Sequence, residues 1–313
     1  MVHTPVMVDD VLEFLAPRSG GAYVDGTVGA AGHAEAILRQ SNPDSRLLGL
    51  DADPRILEIA AKRLADFGGR VVLVNENFAR LERTARWHGF FPADGILLDL
   101  GVSSLQLDSA ERGFSFQSSG PLDMRLGPSS PETASQLVNQ MEEKDLADLI
   151  FRYGEEPRSR AIARAIVAER RSRPIETTDR LADIVRRVVP PGKTHPATRT
   201  FQALRIAVNR ELESLETGLQ AAVEILAVNG RLVVISFHSL EDRIVKQFFA
   251  AGANPCICPP RLPYCVCQRK PTLEVLTRRV IMPSPEEISR NPRARSAKLR
   301  AARKLDVGGS ANS

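Results

Sequence analysis

Three carboxylates, each placed where an apolar run gives out, are the residues of this sequence best placed to do chemistry. The run Ala22-Tyr23-Val24-Asp25 leads into Gly26-Thr27-Val28-Gly29-Ala30-Ala31-Gly32-His33, an apolar segment ending in an acid and then a turn with glycine at every third position. Glycine tolerates positive φ and close backbone approach, so such a turn can bring main-chain N–H groups against a ligand. Asp51 ends the next strand-like run, Leu47-Leu48-Gly49-Leu50, where a carboxylate suits the two hydroxyls of a ribose. Asp99 ends a further one, Asp94-Gly95-Ile96-Leu97-Leu98-Asp99. A tight turn or a helix cap is the structural alternative for each. Three acids in equivalent positions favour a nucleoside-containing cofactor over the carboxyl ends of a parallel sheet.

The glycine spacing narrows the cofactor. A dinucleotide-binding turn reads G-x-G-x-x-G, whereas this one reads G-x-x-G-x-x-G with an acid before it. It is more similar to the first motif of S-adenosylmethionine (SAM) methyltransferases. Asp99 is followed by Leu100-Gly101-Val102-Ser103-Ser104 rather than by the prolines of the usual DNA N-methyltransferase box.

Further polar groups stand at Glu111-Arg112-Gly113-Phe114-Ser115-Phe116, Gly120-Pro121-Leu122-Asp123-Met124-Arg125, His195 to Arg205, and Ser236 to Arg243. Two histidines, His195 and His238, with several arginines and aromatic residues can hold an RNA base and its phosphates. The plainer reading of the last stretch is a helix capped by Ser239, with Glu241 and Asp242 in its first turn. All four cysteines lie in Cys256-Ile-Cys258-Pro-Pro-Arg-Leu-Pro-Tyr-Cys265-Val-Cys267. Two C-x-C pairs offer thiolates to zinc, although C-x-x-C is the commoner spacing. The alternative is four reduced thiols in a loop.

The elements that must position these groups follow from periodicity. Strands are expected at 22–25, 46–50, 71–75 and 94–98, with helices at 31–40, 54–66 and 78–87 between them. Asp53-Pro54 opens the second helix as cap and first-turn proline. This βαβα rhythm argues for a parallel sheet covered by helices. It breaks after Gly101. Leu181, Ile184, Val185 and Val188 then mark one amphipathic helix, and Phe201 to Leu226 a longer one. The rhythm returns with a turn at Asn229-Gly230, a strand at 232–237, a helix at 240–250 and a last strand at 273–282. The expected organisation is an α/β domain in two parts, 1–105 and 213–290, interrupted by a helical insertion at 106–212 that recognises substrate, and followed by a basic tail at 291–313.

The chain has 313 residues, of which 43% are hydrophobic, enough for a sizeable core. No apolar run approaches the ~20 residues of a membrane helix, and the N-terminus lacks the basic and apolar regions of a signal peptide. A soluble, cytoplasmic protein without a membrane partner is expected. Charge is unevenly spread. Residues 1–105 carry 10 Lys/Arg against 14 Asp/Glu, residues 158–210 carry 13 against 4, and residues 290–304 carry 7 against none. A basic region set apart from an acidic one suits a polyanion, and a solvated helical surface is the alternative.

The segments Asp25 to His33, Asp94 to Leu107, Glu111 to Phe116, Gly120 to Arg125, His195 to Phe201, Ser236 to Lys246 and Asn291 to Ser296 together resemble the MraW family, the ribosomal RNA small-subunit methyltransferases H. The resemblance covers nearly the whole chain. It implies a Rossmann-like methyltransferase sheet with an inserted all-helical domain. It further implies SAM as cofactor, and methylation of N4 of one cytidine in the decoding region of 16S rRNA in the small ribosomal subunit. Carried over, the cofactor contacts fall on Ala31, Gly32, His33, Asp51, Phe78, Asp99 and Gln106. Ala30-Ala31 stands where many relatives have a glycine. Asp99 is the first candidate to assist the reacting amine, ahead of Ser103, Ser104 and His238. Arg199, Arg205 and Arg243, with His195, are the candidates for gripping rRNA. The resemblance does not require zinc. Two rival readings use the same residues: a nicotinamide-dependent oxidoreductase, and a non-catalytic RNA-binding factor with a vestigial pocket. The sequence assigns no oligomeric state.

Overall fold

The computed structural model describes residues 5–127, 130–192, 194–259, 264 and 266–306. In chain order the helices and strands are α1 Val8–Leu15, β1 Ala22–Asp25, α2 Gly32–Gln40, β2 Arg46–Asp51, α3 Pro54–Arg63, β3 Val71–Asn75, α4 Leu81–Trp87, β4 Ala93–Asp99, α5 Ser104–Asp108, α6 Ala134–Gln140, α7 Glu143–Gly154, α8 Ser159–Arg170, α9 Thr178–Val188, α10 Thr198–Asn209, α11 Glu211–Ile225, β5 Leu226–Ser236, α12 Ser239–Ala253, β6 Leu273–Val275, α13 Pro285–Arg290 and β7 Lys298–Lys304. Two compact units result. One comprises Met1–Gly101 with Ser214–Ser313, the other Val102–Glu213. Among the described residues no helix is long and apolar enough to cross a membrane.

The first unit is a seven-stranded sheet in the order β3-β2-β1-β4-β5-β7-β6. Strands β1 to β5 pair in parallel, and β7 runs antiparallel between β5 and β6. Its strands read as unbroken apolar runs because both faces are covered. Val24, Leu48, Ile96, Leu98, Leu232 and Val234 face one core, under α4, α11 and α12. Tyr23, Leu47, Leu97, Val233 and Ile235 face the other, under α1, α2 and α3. Alternate residues of one strand thus enter opposite cores, as the period of two dictates.

Four findings depart from the sequence expectation. The basic stretch after residue 290 reads as a tail, yet Lys298–Lys304 is a strand inside the sheet. Leu299, Ala301 and Ala302 are buried, while Arg300 pairs with Asp242 at 2.7 Å and Arg303 pairs with Glu274. Small apolar residues between paired charges hide the strand from a charge count. The long helix expected from Phe201 to Leu226 is two helices broken at Arg210, whose φ of 50° is left-handed. The expected strand 273–282 is reduced to the three residues of β6. The Asn229-Gly230 turn lies within β5, with Asn229 at φ 67° and a register shift against β4.

The second unit is built from α5 to α10 around its own core of Leu137, Leu146, Ile150, Ile162, Ile166, Leu181, Val185 and Leu204. The apolar spacing Leu181, Ile184, Val185 that predicts α9 is the face it buries.

Candidate active site

The sheet order reverses around β1, which lies between β2 and β4. That reversal is the topological switch point at which open α/β sheets bind ligands, outside the carboxyl ends of the strands. Asp25 ends β1, Asp51 ends β2 and Asp99 ends β4, so the three acids stand on three neighbouring strands at that edge.

The glycine turn is locked mainly by its own backbone. Gly26 N–H donates to the Leu97 carbonyl at 2.9 Å, Val28 N–H to Leu50 at 2.8 Å, and Ala31 N–H to Val28 at 2.8 Å. Thr27 N–H donates to Asp25 Oδ1 at 3.1 Å and Gly29 N–H to Asp51 Oδ2 at 3.0 Å. Five of the N–H groups expected to meet a ligand therefore hold the turn in shape. The N–H groups left for a ligand are those of the first turn of α2. Gly29 takes a left-handed φ of 51°, and a Cβ on Gly26 would meet Leu98 at 2.5 Å. Ala31 caps α2 at φ 61°, also left-handed, and is fully buried. Alanine there occupies a conformation that glycine adopts without strain.

Asp25 is almost completely enclosed. Burial, with the charge of Asp51 adding to it, pushes its carboxyl up to about 7 against the pull of the Thr27 N–H. Asp99 is held well above the ordinary carboxylate range by burial first, then by the charges of Asp25 and Glu241. Its N–H donates to Thr27 Oγ1 at 2.6 Å, tying β4 to the turn. Its Oδ1 is buried without a hydrogen-bond partner among the described residues. Asp51 accepts from Gly29 through one oxygen and from Asp53 N–H through the other, at 2.9 Å, so it organises the edge as well as lining it. Asp53 in turn caps α3, as expected.

His33 is buried with Nε2 2.7 Å from the Val6 carbonyl and Nδ1 3.5 Å from Asp99 Oδ2. Phe78 packs between the turn and α11, where Gly218 leaves room for its ring. His238 and not Ser239 caps α12. Its Nδ1 accepts from Glu241 N–H at 3.4 Å, while Glu241 Oε2 accepts from the backbone of Phe237 and His238. Its Nε2 is buried and lies 3.1 Å from Glu241 Oε1, in an orientation that makes no hydrogen bond. Glu241, nearly fully buried, is the functional-edge residue that sequence reasoning missed. Its position reads as an ordinary first-turn acid, and only the fold shows that it raises the proton affinity of Asp99.

The other predicted residues lie in the helical unit or on the surface. Gln106 closes a capping box with Ser103 at the start of α5. His195 stacks on Phe116, ring centroids 4.3 Å apart, and its Nδ1 accepts from Ala197 N–H. Burial, then the nearby Arg186, lowers its proton affinity. Arg205 is held by Glu211 through two hydrogen bonds of 2.9 Å. Arg199 and Arg243 are exposed. Cys256, Cys258 and Cys267 converge. Cys265 and the side chain of Ser104 lie outside the described residues.

A parallel sheet wound on both faces, with acids gathered at its switch point, defines a Rossmann-like α/β protein. The comparisons add a lineage: the sequence matches the MraW methylase family over residues 1–305, and the chain belongs to that family. It is 55% identical over 307 residues to the ribosomal RNA small subunit methyltransferase H of Geobacter sulfurreducens, covering 97% of this chain and 99% of that protein. It is 54% identical to the proteins of the same name from Syntrophobacter fumaroxidans, covering 97% of each, and Dehalococcoides mccartyi, covering 97% and 86%.

Proposed function

We propose that this chain is a SAM-dependent methyltransferase that methylates N4 of a cytidine in the decoding region of 16S rRNA, in the small ribosomal subunit. The observation that carries the reading is the placement of Asp25, Asp51 and Asp99 on three adjacent strands at the switch point, in a chain that belongs to a methylase family.

The residues present suit the cofactor. SAM is a cationic nucleoside, with ribose hydroxyls and an ammonium group to donate. The edge offers Asp51 as acceptor, an Asp99 oxygen buried without a hydrogen-bond partner among the described residues, and in Asp25 and Asp99 two carboxyls whose ionised form a cationic ligand would favour. Gly32, His33 and Ala31 would hold it from the turn, and Phe78 from beside the adenine. When bound it supplies an electrophilic methyl carbon on a sulfonium.

The chain's own residues then have two tasks. One is to hold N4 in line with that carbon, so that the N–C bond forms as the C–S bond breaks; positioning of this kind is worth several kcal/mol. The other concerns the proton that N4 must lose. A carboxylate with raised proton affinity is the better acceptor once ionised, and Asp99 fills that description. The target base must leave its stack to reach the edge. The helical unit, with His195 and Arg199, and Arg243 on α12 would grip the surrounding RNA.

The test is to incubate small subunits from a strain lacking the activity with labelled SAM and map the methyl group. One label on N4 of one cytidine is expected. Label on another atom, or none, overturns the reading.

A further inference from the structure

We propose that Cys256, Cys258 and Cys267 bind one zinc ion and that this metal organises the segment between α12 and β6. The ligand sulfurs of the three residues all lie within 4.8 Å of one another. The Cys256 and Cys267 sulfurs are 3.9 Å apart. Tetrahedral zinc with Zn–S bonds of ~2.3 Å sets its sulfurs about 3.8 Å apart, whereas a disulfide would bring two of them to ~2.05 Å. The Cys256 and Cys267 thiols are therefore at the separation of ligands sharing a cation, with the Cys258 sulfur within 4.8 Å of both.

The surroundings favour the same reading. Residues 254–272 form no helix or strand among their described residues, a length that rarely stays ordered without its own support. Burial does not supply it, since Ile257, Tyr264 and Val266 are 65%, 81% and 70% exposed. The Val266 N–H donates to Cys258 Sγ at 3.3 Å, an outer hydrogen bond of the kind that steadies a thiolate ligand. Thr272 N–H closes the base of the segment on the Gly252 carbonyl at 2.9 Å. All-sulfur donors in this geometry select zinc among the common cations, with a water or a further donor completing the shell. The segment lies away from the three acids in sequence and none of the methyl-transfer chemistry passes through it.

The full chain, purified under a non-thiol reductant and desalted, should carry about one zinc per chain by elemental analysis. Replacement by cobalt should give the intense visible bands of tetrahedral thiolate coordination. The variants Cys256→Ser/Cys258→Ser and Cys267→Ser should each lose the metal while keeping the far-ultraviolet circular dichroism and SAM affinity of the parent. Protein that holds no zinc after reconstitution overturns the proposal. So does zinc retained by these variants, or a disulfide between these residues in protein purified with reductant.

Discussion

The Nδ1 atom of His33 lies 3.5 Å from Oδ2 of Asp99, on a ring whose Nε2 is 2.7 Å from the Val6 carbonyl. A carbonyl only accepts, so Nε2 carries the proton that meets Val6, and Nδ1 is the ring nitrogen that faces Asp99. A carboxyl with raised proton affinity is suited to donate to it. The two groups face one another at the carboxyl end of β4.

Replacements at Asp99 separate proton acceptance from structure. Asp99→Asn keeps an N–H donor toward Nδ1 and should fold with near-parental stability, but an amide cannot take up the proton of N4. Single-turnover methyl transfer should fall roughly 10²-fold or more, with SAM affinity, measured by calorimetry, reduced less than in Asp99→Ala. Parental turnover in Asp99→Asn would remove Asp99 from the proton's path.

Asp25 makes stability depend on pH. Its folded value of about 7 exceeds the ordinary 3.8, so between those limits the folded state keeps a proton that the unfolded chain has released. Stability therefore declines as pH rises through this window and, for this group, is level above about 7. Each tenfold gain in proton affinity on folding corresponds to about 1.4 kcal/mol. Asp25→Asn can still accept from Thr27 and should be more stable than the parent at pH 8, on the order of 1–4 kcal/mol by denaturant titration. At pH 4 the difference should vanish. A cationic ligand favours the ionised carboxylates, so SAM binding should tighten with rising pH over the same window and release protons. An equal pH profile in both proteins would sink the assignment.

Ala31 tests the strain in the turn. Its left-handed backbone costs about 1–2 kcal/mol relative to glycine. Ala31→Gly relieves this but loses a buried methyl, about 0.8 kcal/mol, and adds chain freedom when unfolded, about 0.4–1 kcal/mol. The terms nearly cancel, so the variant should lie within about 1 kcal/mol of the parent. Ala31→Val places a branched side chain in the same conformation at a fully buried position and should cost about 2 kcal/mol or more. Urea midpoints would decide, and a well-tolerated valine would show that the turn is not rigid.

Much of the sheet was legible because its chemistry is local. Strand runs such as Leu47–Leu50 and Ile96–Leu98 are continuous and apolar, and each ends in the acid that matters. Asp53-Pro54 announces α3 in two residues. What stayed hidden depends on partners distant in sequence. Strand β7 is disguised by arginines whose acids, Asp242 and Glu274, lie in other segments. The break between α10 and α11 preserves the apolar spacing on both sides, so periodicity passes over Arg210. Glu241 influences Asp99 only because β4 and β5 are neighbours.

The same partners decide which arginines can meet RNA. Arg205 is 17% exposed and Glu211 11%, in a two-bonded pair, whereas Arg199 keeps half its side chain in solvent and Arg243 is exposed on α12. A phosphate contact releases counterions, so each one lost should lower the slope of log affinity against log salt by about 0.7–0.9. Arg199→Ala and Arg243→Ala should each show that reduction in binding to unmethylated small subunits. Arg205→Ala should leave the slope unchanged and instead lower stability by about 1–3 kcal/mol, because the Glu211 carboxylate loses its bonded partner. A slope that falls for Arg205→Ala and not for the other two would reverse the assignment and place the RNA on the inner face of α10.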